Sequence, residues 1–202
     1  MFLKPHPNTA ITYKNIKVDY QEMIEKIASF SMLYKTIKTS KVAIVSENRP
    51  EWIYAFYSAW KNEATVVPID FMSTPDEIAY ILNDCKPEVV FCSEGTRENL
   101  DNAIKQLSYE IKLLNFDEIG QLPETSDLTF AEQDKDKTAV IIYTSGTTGS
   151  PKGVMLSYEN LQANIDAVSQ DVPIYGPDGR VMILLPLHHI FPLLGSMAAP
   201  LY

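Results

Sequence analysis

Four short apolar runs set the tightest limit on how this chain can fold. Val42-Ala43-Ile44-Val45, Thr65-Val66-Val67-Pro68-Ile69, Glu88-Val89-Val90-Phe91-Cys92 and Ile111-Lys112-Leu113-Leu114 begin at residues 42, 65, 88 and 111. Each reads as a short buried strand. Helical patterns fill the gaps between them. Pro50-Glu51 opens one that carries Trp52, Ile53, Phe56 and Trp60. Thr74-Pro75-Asp76-Glu77 opens the next, with a threonine cap, proline in the first position and glutamate in the third. In the third, Arg97 to Leu107, residues Leu100, Ala103, Ile104 and Leu107 share one face. Strand and helix alternating in this way predict an α/β fold with a mainly parallel sheet covered by helices, and not a solenoid. Trp52 and Trp60 read as core packing. Ahead of the first strand, Ala10 to Val18 reads as a hairpin turning at Lys14-Asn15. Asp19 and Glu22 follow as a capping box, and Met23, Ile24, Ile27, Phe30, Tyr34 and Ile37 recur at helical spacing.

Composition narrows the partners. A net charge of −9 argues against nucleic acid, and 46% hydrophobic with 21% charged residues is the balance of a globular chain. Cys85 and Cys92 fit no metal or disulfide framework and read as reduced core thiols of a cytoplasmic protein. The first residues, Met1-Phe2-Leu3-Lys4-Pro5-His6-Pro7, lack the apolar run of a signal peptide. Phe116 to Lys137 is polar and acidic, and reads as a solvated connector. It divides the chain into a first α/β subdomain, residues 1–130, and the start of a second, residues 131–202.

The chemistry concentrates in Tyr143-Thr144-Ser145-Gly146-Thr147-Thr148-Gly149-Ser150-Pro151-Lys152-Gly153. Apolar segments flank it: Ala139 to Tyr143 before, Gly153 to Leu156 after. Glycines let backbone N–H groups approach phosphate oxygens, hydroxyls add donors, and lysine adds a point charge. From Thr138 to Tyr158 there is no Asp or Glu, and Lys152 is the one cation. A Walker loop would place Lys directly after Gly and before Ser or Thr, whereas here Pro151 intervenes and Gly153 follows. A plain hairpin turn is the other alternative, but such turns are usually short Asn-Gly or Gly-X signals.

This stretch resembles the signature of the adenylate-forming superfamily, which includes acyl-CoA synthetases, luciferases and peptide-synthetase adenylation domains. Tyr158 stands where many members carry His. Ser46-Glu47-Asn48-Arg49-Pro50-Glu51-Trp52 and Val67-Pro68-Ile69-Asp70 are similar to the acyl-CoA synthetase branch. Where that family often has Lys-Ala-Gly-Ala, this chain has Lys61-Asn62-Glu63-Ala64, without the glycine of the turn. Pro186-Leu187-His188-His189-Ile190-Phe191 resembles the second core motif. The resemblance covers essentially the whole chain and implies the N-terminal part of the large domain of an adenylate-forming enzyme, with the adenine, ribose and C-terminal catalytic motifs beyond Tyr202.

The implied activity is ATP-dependent activation of a carboxylate as acyl-adenylate, followed by thioester formation with coenzyme A. Thr144, Ser145, Gly146, Thr147, Thr148, Gly149 and Lys152 would grip the phosphates, with Lys152 also catalytic. Mg²⁺ would neutralise charge, with Thr144 or Ser145 as a hydroxyl ligand, Ser145 being the preferred one. His189 would orient the carboxylate or steady the α-phosphate. The resemblance leans toward a medium- or long-chain fatty acid and a chain inactive on its own. An amino-acid-activating domain and a non-catalytic nucleotide-binding module are the alternatives.

Residues 181–202 contain no Asp, Glu, Lys or Arg. Pro186, Pro192, Pro200, His188 and His189 argue against one lipid-facing helix. Val181 to Leu185 reads as a buried strand, followed by a turn and the start of a buried helix. This apolar segment is expected to mediate self-association. Peripheral contact with a membrane is the further expectation.

Overall fold

The computed structural model describes residue 3 and residues 5–144, 151–171 and 179–202. β1 (Thr9–Tyr13) and β2 (Ile16–Asp19) form an antiparallel hairpin. α1 (Tyr20–Met32) starts at Asp19, whose carboxylate accepts the Glu22 N–H at 2.8 Å. The apolar period continues to Ile37, but the helix ends at Met32 and the next residues pass through turns.

β3 (Lys41–Val45), α2 (Pro50–Lys61), β4 (Thr65–Ile69), α3 (Pro75–Cys85), β5 (Val89–Cys92), α4 (Arg97–Ile104) and β6 (Lys112–Asn115) follow as the sequence predicts. The full capping box of α3 forms, with the Thr74 and Glu77 side chains each accepting from the other's backbone. β7 (Thr138–Thr144) and β8 (Lys152–Ser157) lead into α5 (Tyr158–Asp171). Among the described residues these strands build a six-stranded sheet of order β6-β5-β3-β4-β7-β8. Every pairing is parallel except that of β7 with β8.

Both faces of the sheet are covered, so side chains alternate between two cores. Val42, Ile44, Val66, Phe91, Val140 and Ile142 face α1, α2, α5 and the helical segment 190–201. Ala43, Val45, Val67, Ile69, Val90 and Cys92 face α3 and α4. Phe91 stacks on Phe116 with centroids 5.5 Å apart and packs at 5.9 Å on Phe30 of α1. Trp60 is in the core as expected, and its indole N–H donates to the Ala139 carbonyl at 3.0 Å. That bond ties α2 to β7. Among the described residues, the strands beyond residue 130 join the sheet of the first segment. Cys85 and Cys92 are free and buried, and burial pushes both thiols up to about 12.

Two expectations need correction. The connector at 116–137 is anchored as well as solvated. Ile119, Leu122 and Phe130 pack on the core, and Lys61 lies 5.2 Å over the Phe130 ring and 3.5 Å from Asp127. Val181 to Leu185 is not a strand. The side chain of Asn48, rather than a neighbouring strand, takes up backbone groups there, and Met182 and Leu184 are 76% and 78% exposed. Ile190–Pro192 and Ala199–Leu201 are α-helical turns flanking a π-helical stretch, Leu193–Ala198.

The missing glycine in Lys61-Asn62-Glu63-Ala64 has a backbone consequence. Glu63 is held at φ 59°, a left-handed conformation that costs an L side chain about 1–2 kcal/mol. Its ion pair with Lys137, at 3.7 Å, is mostly exposed and offsets little. Glu63→Gly is therefore expected to raise stability by about 1 kcal/mol, read as a higher urea midpoint at unchanged slope.

Candidate functional site at the carboxyl edge of the sheet

Because β3 to β7 run parallel, their carboxyl ends share one edge, where open α/β sheets bind ligands. The chain leaves β3 into Ser46 to Arg49, β4 into Asp70 and Phe71, and β5 into Ser93 and Glu94. β7 ends there at Thr144. β8 runs the other way, so its first residue, Lys152, returns to the same edge in register with Thr144. The backbone thus makes the hairpin that turn statistics disfavoured, and the length and hydroxyl content of its connection set it apart. Thr144 and Lys152 are exposed, and among the described residues Lys152 makes no ion pair. Ser145, Gly146, Thr147, Thr148 and Gly149 lie outside the described residues, and with them the expected magnesium ligand Ser145.

The base of the hairpin is built around Gly153. A methyl group added there would come within 2.9 Å of Ile141 Cγ2 and 3.1 Å of Tyr143 Cζ. The missing side chain lets the Tyr143 ring lie across the paired strands. From there its hydroxyl donates to the Asp84 carboxylate of α3. An acid therefore reaches the foot of the loop from a distant part of the chain, although none is present locally in sequence.

The two histidines divide their roles. His188 is buried and His189 is exposed. His188 Nε2 lies 3.6 Å from Asp70 Oδ2, and its ring packs edge-on against Phe71, centroids 6.3 Å apart. Nε2 has no hydrogen-bond partner among the described residues. Burial lowers the His188 pKa below its ordinary value, Asp70 pulls it back up, and neighbouring His189 lowers it again. His189 stands at the head of the helical segment, its carbonyl accepting the Leu193 N–H at 3.1 Å. Asn48 binds the preceding backbone twice: its amide donates to the Leu185 carbonyl, and its oxygen accepts the Leu187 N–H, both at 2.9 Å.

A polar network fixes the rest of the edge. Arg49 grips both oxygens of Asp117 at 2.9 and 3.0 Å and Glu51 at 2.8 Å. Asp117 also accepts the Glu94 N–H at 2.8 Å, and that bond, aided by Arg49, holds its carboxyl below the usual range. Ser93 donates to Glu47 at 2.6 Å. Beside this edge, α5 and the last helical segment enclose an apolar cleft of about 400 Å³, lined by Ile165, Val168, Ile190, Phe191 and Leu194.

The family model of AMP-binding enzymes matches residues 3–202. The chain belongs to the AMP-binding enzyme family. A mitochondrial malonate–CoA ligase of Homo sapiens is 26% identical over 168 residues, 82% of this chain and 29% of the relative. Long chain acyl-CoA synthetase 8 of Arabidopsis thaliana is 26% identical over 200 residues, 86% of this chain and 28% of the relative. The crystal structure of ATP-bound MatB from Rhodopseudomonas palustris superposes with a TM-score of 0.79 at 24% identity, covering 92% of this chain and 38% of that one. At that identity the superposition shows the α/β fold of the N-terminal domain of adenylate-forming enzymes. The chain thus spans well under half the length of these relatives.

Within this chain the structure brings Thr144 and Lys152 together at the hairpin base and sets His189 at a helix head. Sequence reasoning missed Asn48, Asp70 and His188 as individual residues. The available signal was position, since Asn48 and Asp70 each follow the end of a parallel strand.

Two outcomes test this geometry. Gly153→Ala should lower stability by about 1–3 kcal/mol as the Ile141 and Tyr143 contacts are forced apart, measured by urea unfolding. The folded-state pKa of His188 is lowered, so the unfolded chain binds that proton more readily. The stability contribution of His188 is therefore intact above the ordinary value of 6.5 and is lost as pH falls from there toward the folded value. Asp70→Asn removes the charge that raises this pKa, so the NMR titration midpoint of His188 should fall further.

Proposed function

We propose that this chain supplies the phosphate- and carboxylate-handling edge of an acid–thiol ligase. The enzyme would convert a carboxylic acid and ATP to an acyl-adenylate and pyrophosphate, then transfer the acyl group to coenzyme A. The observation that carries the reading is the β7–β8 hairpin, which sets Thr144 and Lys152 at the two ends of a hydroxyl- and glycine-rich connection. In the first step a carboxylate oxygen attacks the α-phosphorus and the bond to pyrophosphate breaks. An anion must approach a polyanion, so holding the phosphates and offsetting their charge matter more than moving protons. Lys152 supplies charge at the hairpin base. His189, exposed at its helix head, orients the acid. Among the described residues no cluster of three or more His, Cys, Asp or Glu is placed to hold a metal ion.

The acid we favour is apolar, of medium or long chain. The cleft between α5 and the last helical segment has mostly apolar walls, and among the described residues none that lines it is charged. A second carboxylate, as in malonate, would find no cation among them. A cytoplasmic location fits this reading, as does contact with a membrane surface where such acids partition. No described helix is long and apolar enough to cross a membrane.

Acid-dependent ATP–pyrophosphate exchange by the full-length protein tests both halves of the reading. Straight-chain fatty acids of graded length should support exchange better than malonate; the reverse order would reject the apolar acid. Lys152→Ala should lower exchange on the order of 10²-fold, and an unchanged rate would remove Lys152 from the site.

A further inference from the structure

We propose that Asn48 is a positioning residue of the site. Its carboxamide holds the Leu185 to Leu187 backbone so that His188 seats against Asp70 and His189 is presented at the head of the helical segment. The proposal rests on the reading that His189 handles the carboxylate.

The argument starts from the backbone. Residues 179–186 carry no regular structure, so their N–H and C=O groups lack a ladder. A carboxamide has a donor and an acceptor on one rigid plane, and Asn48 uses both, at 2.9 Å each, across 137 and 139 residues of sequence. It acts in place of a neighbouring strand. An aspartate there could accept from Leu187 but not donate to Leu185, and an alanine could do neither.

The clamp is itself fixed. Asn48 lies between Val45, the last residue of β3, and Pro50, the first of α2. The next residue, Arg49, is tied to Asp117 and Glu51. Beyond the clamp, His188 meets Asp70 at 3.6 Å and His189 at a centroid distance of 4.1 Å. A short turn, with His189 N–H on the Pro186 carbonyl at 3.2 Å, links the clamped residues to both imidazoles. Errors in the placement of Leu187 would pass directly to the histidines.

The test compares Asn48→Ala, Asn48→Asp, His189→Ala and the double variant Asn48→Ala/His189→Ala in the full-length protein. Asn48→Ala should lower kcat/KM for the acid by about 10- to 100-fold, since a misplacement near 1 Å can cost that much, with KM for ATP unchanged. Asn48→Asp, which keeps one of the two bonds, should fall between wild type and Asn48→Ala. The double variant should be no slower than His189→Ala, because both changes remove one unit. Independently of turnover, the NMR titration of His188 should move toward the ordinary histidine value in Asn48→Ala, and the Leu187 amide should exchange faster. Additive losses in the double variant, or a His188 titration that matches wild type in Asn48→Ala, would overturn the proposal. Absence of acid-dependent exchange in the wild type would instead reject the functional reading. The His188 titration would then decide the positioning role alone, a shift supporting it and an unchanged midpoint refuting it.

Discussion

A strand with no exposed face must be covered twice, and β3 is such a strand. Val42 and Ile44 turn toward one core, Ala43 and Val45 toward the other, all fully buried. Each flanking strand pairs with β3 in parallel, so every return path has to cross over the sheet, and the helices lie where those crossings pass. One consequence of this parallel arrangement is functional. The loops that leave β3, β4, β5 and β7 gather at the same edge, and the shared direction of the strands brings Asn48, Asp70, Ser93 and Thr144 to one side of the fold.

Much of the framework was legible in the sequence because it depends on local pattern. The β-branched runs, the Thr74 to Glu77 cap and the amphipathic helices report burial and capping within a few residues of themselves. The polar insert between Thr144 and Lys152 was legible for the same reason, lying between two apolar runs, but the antiparallel pairing at its base was not. Contacts across many residues left no such mark. Asp84 approaches Tyr143 from another helix, and Asn48 reaches Leu185 and Leu187 from the far side of the sheet topology. The expected strand at Val181 to Leu185 failed on this account: an apolar run needs a partner edge to become a strand, and here a side chain met its backbone first.

The histidine pair shows how burial sorts chemically identical neighbours. His188 is buried beside Asp70 and Phe71, and that burial lowers its pKa, whereas His189 meets solvent. Sequence reasoning chose His189 from the motif. The structure adds that its neighbour is buried 3.6 Å from Asp70, the residue that follows β4. The apolar cleft lies apart from both imidazoles' polar surroundings, its walls on α5 and the last helical segment and not on the sheet edge.

Pro68 sits inside β4, between a partner made early in the chain and one made late. β3 precedes it closely, but β7 begins about 70 residues after β4 ends. At roughly 5–20 residues per second, a ribosome exposes β4 for several seconds, on the order of 4–14 s, before its second neighbour exists. During that interval the nascent sheet carries a largely apolar border, the kind of surface on which other unfinished chains can add themselves. A proline donates no N–H and interrupts such templating. In the finished sheet, the register between β4 and β7 rests on a single pair, Val66 with Val140, and the Trp60 bond to Ala139 fastens the late strand in place. The strand that proline makes a weak template during synthesis is thus joined to β7 in the completed fold partly by side chains, the Trp60 indole on the Ala139 carbonyl and the Thr65 hydroxyl on the Thr138 carbonyl.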